Sequence, residues 1–257
     1  MIEQFLLLLK SQASEQTKLN SQGFCLELGL QMVDENFSLA PNQGAFEFVD
    51  DKLQLHLLLD NKTTQLAFDF IEGEVGFRVA RVSKSNEVIA KAIGCKPHYR
   101  PRVLDATAGM GRDSLIMASL GCQVTMLERN PAIYQLLNNA LLQFQKHDEY
   151  RQLPGKLSLI SANSIESDWL STDFDVVYLD PMFPERKKSA LVKKEMRLFK
   201  LLAGDDPDAD QLMQRALASK AKRVVVKRPK GAPLLADKKP SHEIVAKKFR
   251  YDVYLLG

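Results

Sequence analysis

Residues 103–113 read Val-Leu-Asp-Ala-Thr-Ala-Gly-Met-Gly-Arg-Asp. The apolar start predicts a short buried strand, the glycines predict a tight turn, and the residues from Arg112 onward predict a helix that stops before Gly121. Glycine lets the backbone turn sharply and lets a ligand approach without a Cβ in the way. A strand, turn and helix in this order are typical of an α/β domain with a ligand at the strand ends.

Strands and helices continue to alternate on both sides of this unit. Helices are predicted at residues 85–93, 112–120, 131–144 and 210–219. Strands are predicted at residues 103–106, 124–127, 157–161, 175–179, 223–226, 243–247 and 251–256. Short apolar strands with intervening helices indicate a mostly parallel sheet that is covered on both faces.

The N-terminal part of the chain has a different pattern. Short apolar or alternating runs at 24–30, 53–59 and 65–70 are separated by turn residues. These runs predict a small antiparallel unit with no chemistry of its own. The predicted organisation is a small β-rich N-terminal region at 1–84, followed by one α/β domain at 85–257.

Two acidic residues flank the glycine turn in this predicted arrangement. Asp105 ends the first strand, where a carboxylate can meet an ammonium group, and Glu128 ends the next strand, where it suits two ribose hydroxyls. A dinucleotide-binding fold also places an acid after its second strand, but here Ser114 replaces the third glycine of its G-x-G-x-x-G pattern. Asp105 would also repel a pyrophosphate. The pattern favours S-adenosylmethionine, bound on Gly109 and Gly111; a turn without any ligand is the alternative.

A second motif follows the strand at 175–179. Asp180-Pro181-Met182-Phe183-Pro184 resembles the [Asn/Asp]-Pro-Pro-[Tyr/Phe] signature of methyltransferases that act on exocyclic amines of nucleobases, with Met182 in place of the second proline. Such an amine is a poor nucleophile because its lone pair is delocalised into the ring. The Asp180 carboxylate and the Pro181 carbonyl could accept its two N–H groups, and Phe183 could stack on a flipped base. The alternative is an ordinary Asp-Pro turn at a strand end.

The net charge of +3 is unevenly distributed. Residues 181–257 carry 19 Lys and Arg against 9 Asp and Glu, whereas residues 1–180 carry 16 against 23. A basic C-terminal third next to a predicted base pocket favours a nucleic acid partner over a merely solvated surface. The predicted phosphate contacts are Arg186, Lys187, Lys188, Lys193, Lys194, Arg197, Lys227, Arg228 and Lys230.

Several classes of protein are disfavoured by composition. The three cysteines, Cys25, Cys95 and Cys122, are far apart and form no C-x-x-C pair, so neither a disulfide framework nor a metal site is predicted. No apolar run approaches the roughly 20 residues that span a bilayer. The first ten residues lack the basic start and long apolar run of a signal peptide. We therefore expect a cytoplasmic protein without a membrane partner or a metal.

Five segments together resemble one known family. They are residues 105–113, 126–131, 178–184, 187–197 and 223–229, and the block Lys-Ser-Ala-Leu-Val-Lys-Lys-Glu-Met-Arg at 188–197 is the most specific of them. The family is ribosomal RNA small subunit methyltransferase J, which methylates the exocyclic N2 amine of a guanosine in 16S ribosomal RNA. The resemblance covers about residues 78–257, and the N-terminal residues match less clearly.

The resemblance implies a fold, a cofactor and a partner. The fold would be a Rossmann-like class I S-adenosylmethionine-dependent methyltransferase, and the partner would be 16S ribosomal RNA or the small ribosomal subunit. The implied cofactor contacts are Arg112, Asp113, Glu128, Arg129, Asn163, Ser164 and Asp180. Two alternatives stay open at this point: a DNA adenine-amine methyltransferase and a nucleic-acid-binding protein without catalysis.

Overall fold

The computed structural model describes residues 2–71, 87–153, 155–183 and 194–257. Its strands are β1 (Gln4–Leu8), β2 (Gln31–Val33), β3 (Gln43–Val49), β4 (Lys52–Leu59), β5 (Lys62–Ala67), β6 (Arg102–Asp105), β7 (Gln123–Glu128), β8 (Lys156–Ser161), β9 (Val176–Leu179), β10 (Arg223–Pro229), β11 (His242–Val245) and β12 (Phe249–Leu255). Its α-helices are α1 (Glu15–Leu28), α2 (Val88–Ala92), α3 (Arg112–Ser119), α4 (Pro131–Gln145), α5 (Asp148–Arg151), α6 (Lys194–Ala203) and α7 (Ala209–Leu217), and a short 3₁₀ helix covers Leu235–Asp237.

The larger sheet has the order β11-β12-β10-β9-β6-β7-β8 within the described residues. The strands from β6 to β10 pair in parallel, β12 is antiparallel to β10, and β11 is antiparallel to β12. Because parallel strands need crossovers, helices cover both faces of this sheet. The predicted, mostly parallel sheet is therefore confirmed.

Strand β9 shows why the runs of the central strands are continuously apolar. All four of its residues are buried. Val176 and Tyr178 pack with helix α3 on one face, whereas Val177 and Leu179 pack with Trp169 and α7 on the other. Side chains alternate between the two faces of a strand, so a strand covered on both faces buries every residue. Its carboxyl end leads directly into Asp180.

The smaller sheet lies in the N-terminal region and has the order β2-β1-β3-β4-β5. Strands β3, β4 and β5 are antiparallel as predicted, but β1 pairs in parallel with both β2 and β3, so the fully antiparallel prediction is wrong. The predicted strand at 24–30 is also wrong, since residues up to Leu28 belong to α1. Ser14 caps this helix by accepting from Thr17 N, and Gly29 ends it at φ 64°.

The two sheets share part of their apolar packing. Phe46 and Leu55 of the smaller sheet lie in one cluster with Leu136 of α4 and Phe199 of α6. Asn139 of α4 also accepts a hydrogen bond from Leu53 N at 2.9 Å. The N-terminal region thus supports two helices next to the strand ends of the larger sheet. The predicted boundary at 84–85, with the predicted helix start, lies outside the described residues.

Candidate active site

The turn after β6 depends on two glycines. Gly109 and Gly111 have φ values of 54° and 68°, in the left-handed region that disfavours side chains. A Cβ on Gly111 would lie 2.7 Å from Leu137 Cδ1 and 3.0 Å from Phe70 Cζ, and a Cβ on Gly109 would lie 3.1 Å from Phe199 Cζ. A side chain at either position would therefore strain the backbone, and at Gly111 Leu137 would also have to move.

Glu128 is fixed at the end of β7 by backbone donors. Its Oε2 accepts from Gly109 N at 2.9 Å, and its Oε1 accepts from Asn130 N at 2.7 Å. Burial raises the pKa of this carboxyl group to about 7, although the two hydrogen bonds oppose the shift. A carboxylate has about four lone-pair sites. Two acceptor sites are left for hydroxyl groups of a ligand, as a ribose would require.

Asp105 stabilises the glycine turn through hydrogen bonds to residues on both sides of the glycines. Its Oδ2 accepts from the hydroxyl of Ser114 at 2.5 Å, and its Oδ1 accepts from Thr107 N at 3.2 Å. Burial, together with the nearby charges of Asp113 and Asp180, raises the pKa of Asp105 to about 7. Ser114, the residue that breaks the dinucleotide pattern, is thus a partner of the acid that precedes the turn.

The acceptor motif contacts Lys227, which the sequence analysis assigned to phosphate binding. Lys227 Nζ donates to Asp180 Oδ2 at 2.8 Å and to Asp113 Oδ2 at 2.7 Å, and the Tyr178 hydroxyl donates to the same Asp113 oxygen at 2.5 Å. Burial disfavours the charge of Lys227, but the two carboxylates outweigh burial and raise its pKa. The prediction that Lys227 contacts phosphate is therefore corrected, because its ammonium group points into the cavity.

Asp180 is anchored on two sides. Its backbone N–H donates to Thr107 Oγ1 at 2.6 Å, which ties the acceptor motif to the donor turn. Burial and the charge of Asp113 raise the pKa of Asp180, whereas Lys227 lowers it. Its second carboxylate oxygen, Oδ1, has no hydrogen-bond partner among the described residues. This oxygen is available to an N–H group of a substrate.

The remaining residues of the acceptor motif divide between two environments. Pro181 and Met182 line the cavity. Phe183 is half-buried and packs against the cluster around Trp169, and it is not among the described residues that line the cavity. Base stacking on Phe183 stays a prediction, and Pro184 lies outside the described residues.

Helix α6 and the segment after it cover the cavity, which sequence analysis did not predict. Arg112 donates to Glu195 at 2.5 Å, and Arg129 forms ion pairs at 2.5 Å with both Asp206 and Asp208. Both arginines also line the cavity. Their predicted contact with the donor stays a prediction, since here each one links the cavity wall to the cover. Clustered acids after α6 were a signal that could have indicated such pairing.

The other residues implied by the resemblance also lie at the cavity. Asn163 and Ser164 follow β8 and line it. Asn163 Oδ1 accepts from Ile165 N at 3.0 Å, and the Ser164 hydroxyl donates to the carbonyl of Ala106. Ser164 therefore stabilises the end of β6. Asn163 lines the cavity just after the end of β8.

The cavity has a volume of about 390 Å³ and fits a cationic, ribose-bearing ligand. Six acids and three basic residues of the described chain line it: Asp105, Asp113, Glu128, Asp180, Asp206, Asp208, Arg112, Arg129 and Lys227. An excess of carboxylates favours a sulfonium or ammonium group and disfavours a pyrophosphate. With the acceptor sites of Glu128, the residues present fit S-adenosylmethionine.

The predicted phosphate contacts have different placements. Arg228 is only 4% exposed and forms an ion pair with Asp252 of β12 at 3.3 Å. The prediction that Arg228 contacts phosphate is therefore corrected, because its guanidinium group is buried against a neighbouring strand. Lys194, Arg197 and Lys230 are exposed, and Arg197 donates to Asp60 at 2.8 Å. Arg186, Lys187, Lys188 and Lys193 lie outside the described residues.

The described ranges contain no group of three or more His, Cys, Asp and Glu residues that could hold a metal ion. None of their helices has both the length and the apolar character needed to cross a bilayer.

Comparisons with known proteins agree with this geometry. A family model described as a putative SAM-dependent methyltransferase matches residues 31–256. A ribosomal RNA small subunit methyltransferase J from Thioalkalivibrio sulfidiphilus is 42% identical over 250 residues, which cover 95% of this chain and 96% of the relative. The protein of the same name from Colwellia psychrerythraea is 48% identical over 203 residues, which cover 79% and 75% of the two chains.

A solved structure supports the same fold. The crystal structure of a SAM-dependent methyltransferase from Neisseria gonorrhoeae matches with a TM-score of 0.69 at 30% identity, and the match covers 98% of this chain and 95% of that chain. The predicted Rossmann-like class I fold and the predicted cofactor, S-adenosylmethionine, are confirmed. This chain therefore belongs to the SAM-dependent methyltransferases, in the family whose curated members are named ribosomal RNA small subunit methyltransferase J.

Proposed function

We propose that this protein transfers a methyl group from S-adenosylmethionine to the exocyclic N2 amine of a guanosine in 16S ribosomal RNA, in the cytoplasm. One observation carries the proposal. Asp180 and Pro181 line the same cavity as Glu128 and the glycine turn, so an amine at the acceptor motif meets the donor in one cavity. The relatives' shared name supports ribosomal RNA as the substrate, and the family resemblance supports guanine N2.

The contacts support the following roles for the chain's own residues. Glu128 binds the ribose, and the acidic wall matches the positive charge of the donor. S-adenosylmethionine, when bound, supplies a methyl group that is already activated on its sulfonium sulfur. The Asp180 carboxylate and the Pro181 carbonyl accept the two N–H groups of the amine, which directs the nitrogen lone pair toward the methyl group. Alignment and preorganised acceptors then provide the rate enhancement.

Direct transfer, without a covalent enzyme intermediate, is the mechanism that this arrangement supports. An exocyclic amine can attack the methyl group itself and needs no cysteine attack on the base. As the nitrogen–carbon bond forms, the bond from the methyl group to the sulfonium sulfur breaks and the sulfur leaves as a neutral thioether. The proton that the amine loses passes to the Asp180 carboxylate, which holds that N–H, or to solvent. The three cysteines all lie within the residues that the structure describes, and none of them lines the cavity. A variant with all three cysteines replaced by serine should keep its single-turnover methylation, provided that it is folded.

The decisive experiment is mass mapping of methylated nucleotides in ribosomal RNA. RNA and small subunits from cells that lack this protein would be incubated with the purified protein and donor. We expect one new methyl group on guanine N2, and none when Asp180 is replaced. Methylation of adenine in a DNA control would overturn the proposal in favour of the DNA enzyme. Donor binding without transfer to any nucleic acid would favour a non-catalytic role.

A further inference from the structure

The turn between β11 and β12, residues 246–248, carries two exposed lysines, Lys247 and Lys248. The register of the sheet fixes its position. Pro229 at the end of β10 pairs with Phe249 at the start of β12. Because β10 is parallel to β9, this edge is also the one at which Asp180 follows β9. The β11–β12 turn therefore lies at the edge of the sheet that holds the acceptor motif.

One aromatic ring links this turn to the cavity. Phe249, the residue after Lys248, lies with its ring centroid 5.4 Å from Lys227 Nζ. The same ammonium group donates to Asp180 Oδ2 at 2.8 Å. On its other side, Phe249 packs edge-on against Tyr251, with the ring centroids 5.3 Å apart. Lys227 and Phe249 thus link the turn to the acceptor carboxylate.

The charge of the turn is not neutralised by the strands that carry it. Asp252 of β12 pairs with Arg228 at 3.3 Å and with Arg250 at 2.8 Å. Glu243 of β11 pairs with Arg250 at 3.0 Å. Both carboxylates of the hairpin are therefore occupied by arginines. In the described part of the chain, no carboxylate lies within ion-pair distance of Lys247 or Lys248.

We propose that Lys247 and Lys248 bind backbone phosphates of the RNA next to the target nucleotide. This proposal rests on the proposed function and adds a docking surface to it. A base that is modified on its amine has to leave its stack and enter the cavity, so the flanking phosphates lie around the cavity mouth. Lysines at the same edge of the sheet hold the strand in register without reading its sequence.

The chain contains a matched control at the opposite end of the same strands. Lys238 and Lys239 are also adjacent and exposed. The Lys238 carbonyl accepts from the Tyr254 hydroxyl at 3.1 Å, near the end of β12. Since β12 spans residues 249–255, the two lysine pairs are separated by about 20 Å. They match in residue type and exposure and differ in the edge of the sheet at which they lie.

The experiment compares two charge reversals, K247E/K248E and K238E/K239E, by fluorescence anisotropy with a small-subunit RNA fragment over a salt series. For K247E/K248E we expect Kd to rise more than about tenfold at low salt. The slope of log Kd against log salt should also fall by roughly 1.4–1.8, for two lost phosphate contacts. K238E/K239E changes the net charge equally and should bind RNA much as the wild type does. Both variants should bind S-adenosylmethionine normally.

Each outcome decides the proposal. Equal weakening by both variants would show that only net charge matters, and unchanged binding by K247E/K248E would show that the turn does not contact RNA; both results overturn the proposal. Melting temperature and donor affinity identify a variant that is damaged in its fold. Failure of the proposed function is a separate result, because the wild type would then leave guanine N2 unmethylated while the binding comparison can still be made.

Discussion

The donor side and the acceptor side of the cavity hold their carboxylates in different ways. On the donor side, Glu128 accepts from two backbone N–H groups, and one of them belongs to the turn nineteen residues earlier. On the acceptor side, Asp180 is held by the ammonium group of Lys227, 47 residues later, which also binds Asp113. Backbone dipoles thus fix one acid, and a full opposite charge fixes the other.

This difference changes what opposes burial at each acid. Backbone donors do not compensate for burial at Glu128, so its pKa is raised to about 7. The pKa of Asp180 is also raised by burial, and there the complete positive charge of Lys227 opposes the shift. The donor acid can bind hydroxyl groups with or without its proton, whereas the acceptor acid accepts an amine N–H most strongly when it is ionised.

The largest expected effect is on the acceptor side. Asp180→Ala removes one of two acceptors for the amine, and a single preorganised hydrogen bond in a water-poor site is typically worth about 10²–10³ in rate. We expect single-turnover methylation at saturating donor to fall by that factor. The control is Asp173→Ala, a substitution in the loop before β9 and outside the cavity lining. Near-normal transfer by a folded Asp180→Ala would contradict the acceptor role.

On the donor side, Glu128→Gln should change both the pH dependence of stability and the affinity for the donor. Burial raises the folded-state pKa above its ordinary value of 4.5, so the folded wild type retains a proton that the unfolded chain has lost. The contribution of Glu128 to stability without donor is therefore largest below about pH 4.5 and falls as pH rises to about 7. Glutamine does not titrate, so this fall should be absent in the variant. Its single carbonyl oxygen can accept from only one of the two backbone N–H groups, so no net stabilisation is expected.

The same variant should bind S-adenosylmethionine about ten- to hundred-fold more weakly, because a charged acceptor is lost at the ribose. Thermal unfolding and donor titration at about pH 6 and about pH 8 measure both effects. A stability difference between Glu128→Gln and the wild type that is the same at both pH values would contradict the burial argument. Unchanged donor affinity would remove Glu128 from the donor site.

Lys227→Met should shift the pH dependence of transfer. Without the ammonium group, burial and the charge of Asp113 raise the pKa of Asp180 further, so a smaller fraction of Asp180 is ionised at a given pH and the group becomes a weaker acceptor. Other charged or titratable groups around Asp180 are Tyr178 and Asp206. We expect the acidic limb of the pH–rate profile to move upward by about one unit, a loss of about tenfold near neutral pH.

Lys227→Arg is the conservative variant, and it should restore most of the wild-type profile because it keeps the positive charge. A Lys227→Met profile that is lowered equally at every pH would indicate a purely structural role for Lys227. A profile that coincides with the wild type would show that Asp180 does not depend on this ion pair.

The sequence predicts the position of the acids on both sides of the cavity, but not the ion pairs on the acceptor side. The glycine turn, Glu128 and Asp180 each stand at the end of a predicted strand, and strand ends meet at one edge of a parallel sheet. The pairing of Lys227 with Asp113 could not be predicted, since it depends on the order of strands and on side-chain direction. Arg228 shows why the role of a single cation could not be predicted. Neighbouring side chains on a strand point to opposite faces of the sheet. Lys227 therefore points into the cavity, whereas Arg228 points to the other face and pairs with Asp252.

The cover over the cavity gives the smallest expected effect and separates two roles of Arg112. Arg112 pairs with Glu195 at 2.5 Å, and both side chains are more than a third exposed. Exposed ion pairs typically contribute about 0–1 kcal/mol. Glu195→Gln should therefore lower the free energy of unfolding by no more than about 1 kcal/mol and change donor affinity by no more than about fivefold.

If Arg112 itself binds the donor, as the resemblance implies, Arg112→Ala should weaken donor binding clearly more than Glu195→Gln does. Isothermal titration of both variants with S-adenosylmethionine measures the difference. Equal, small effects would show that Arg112 acts only through the cover, and a large effect of Glu195→Gln would show that closure of the cover controls donor binding.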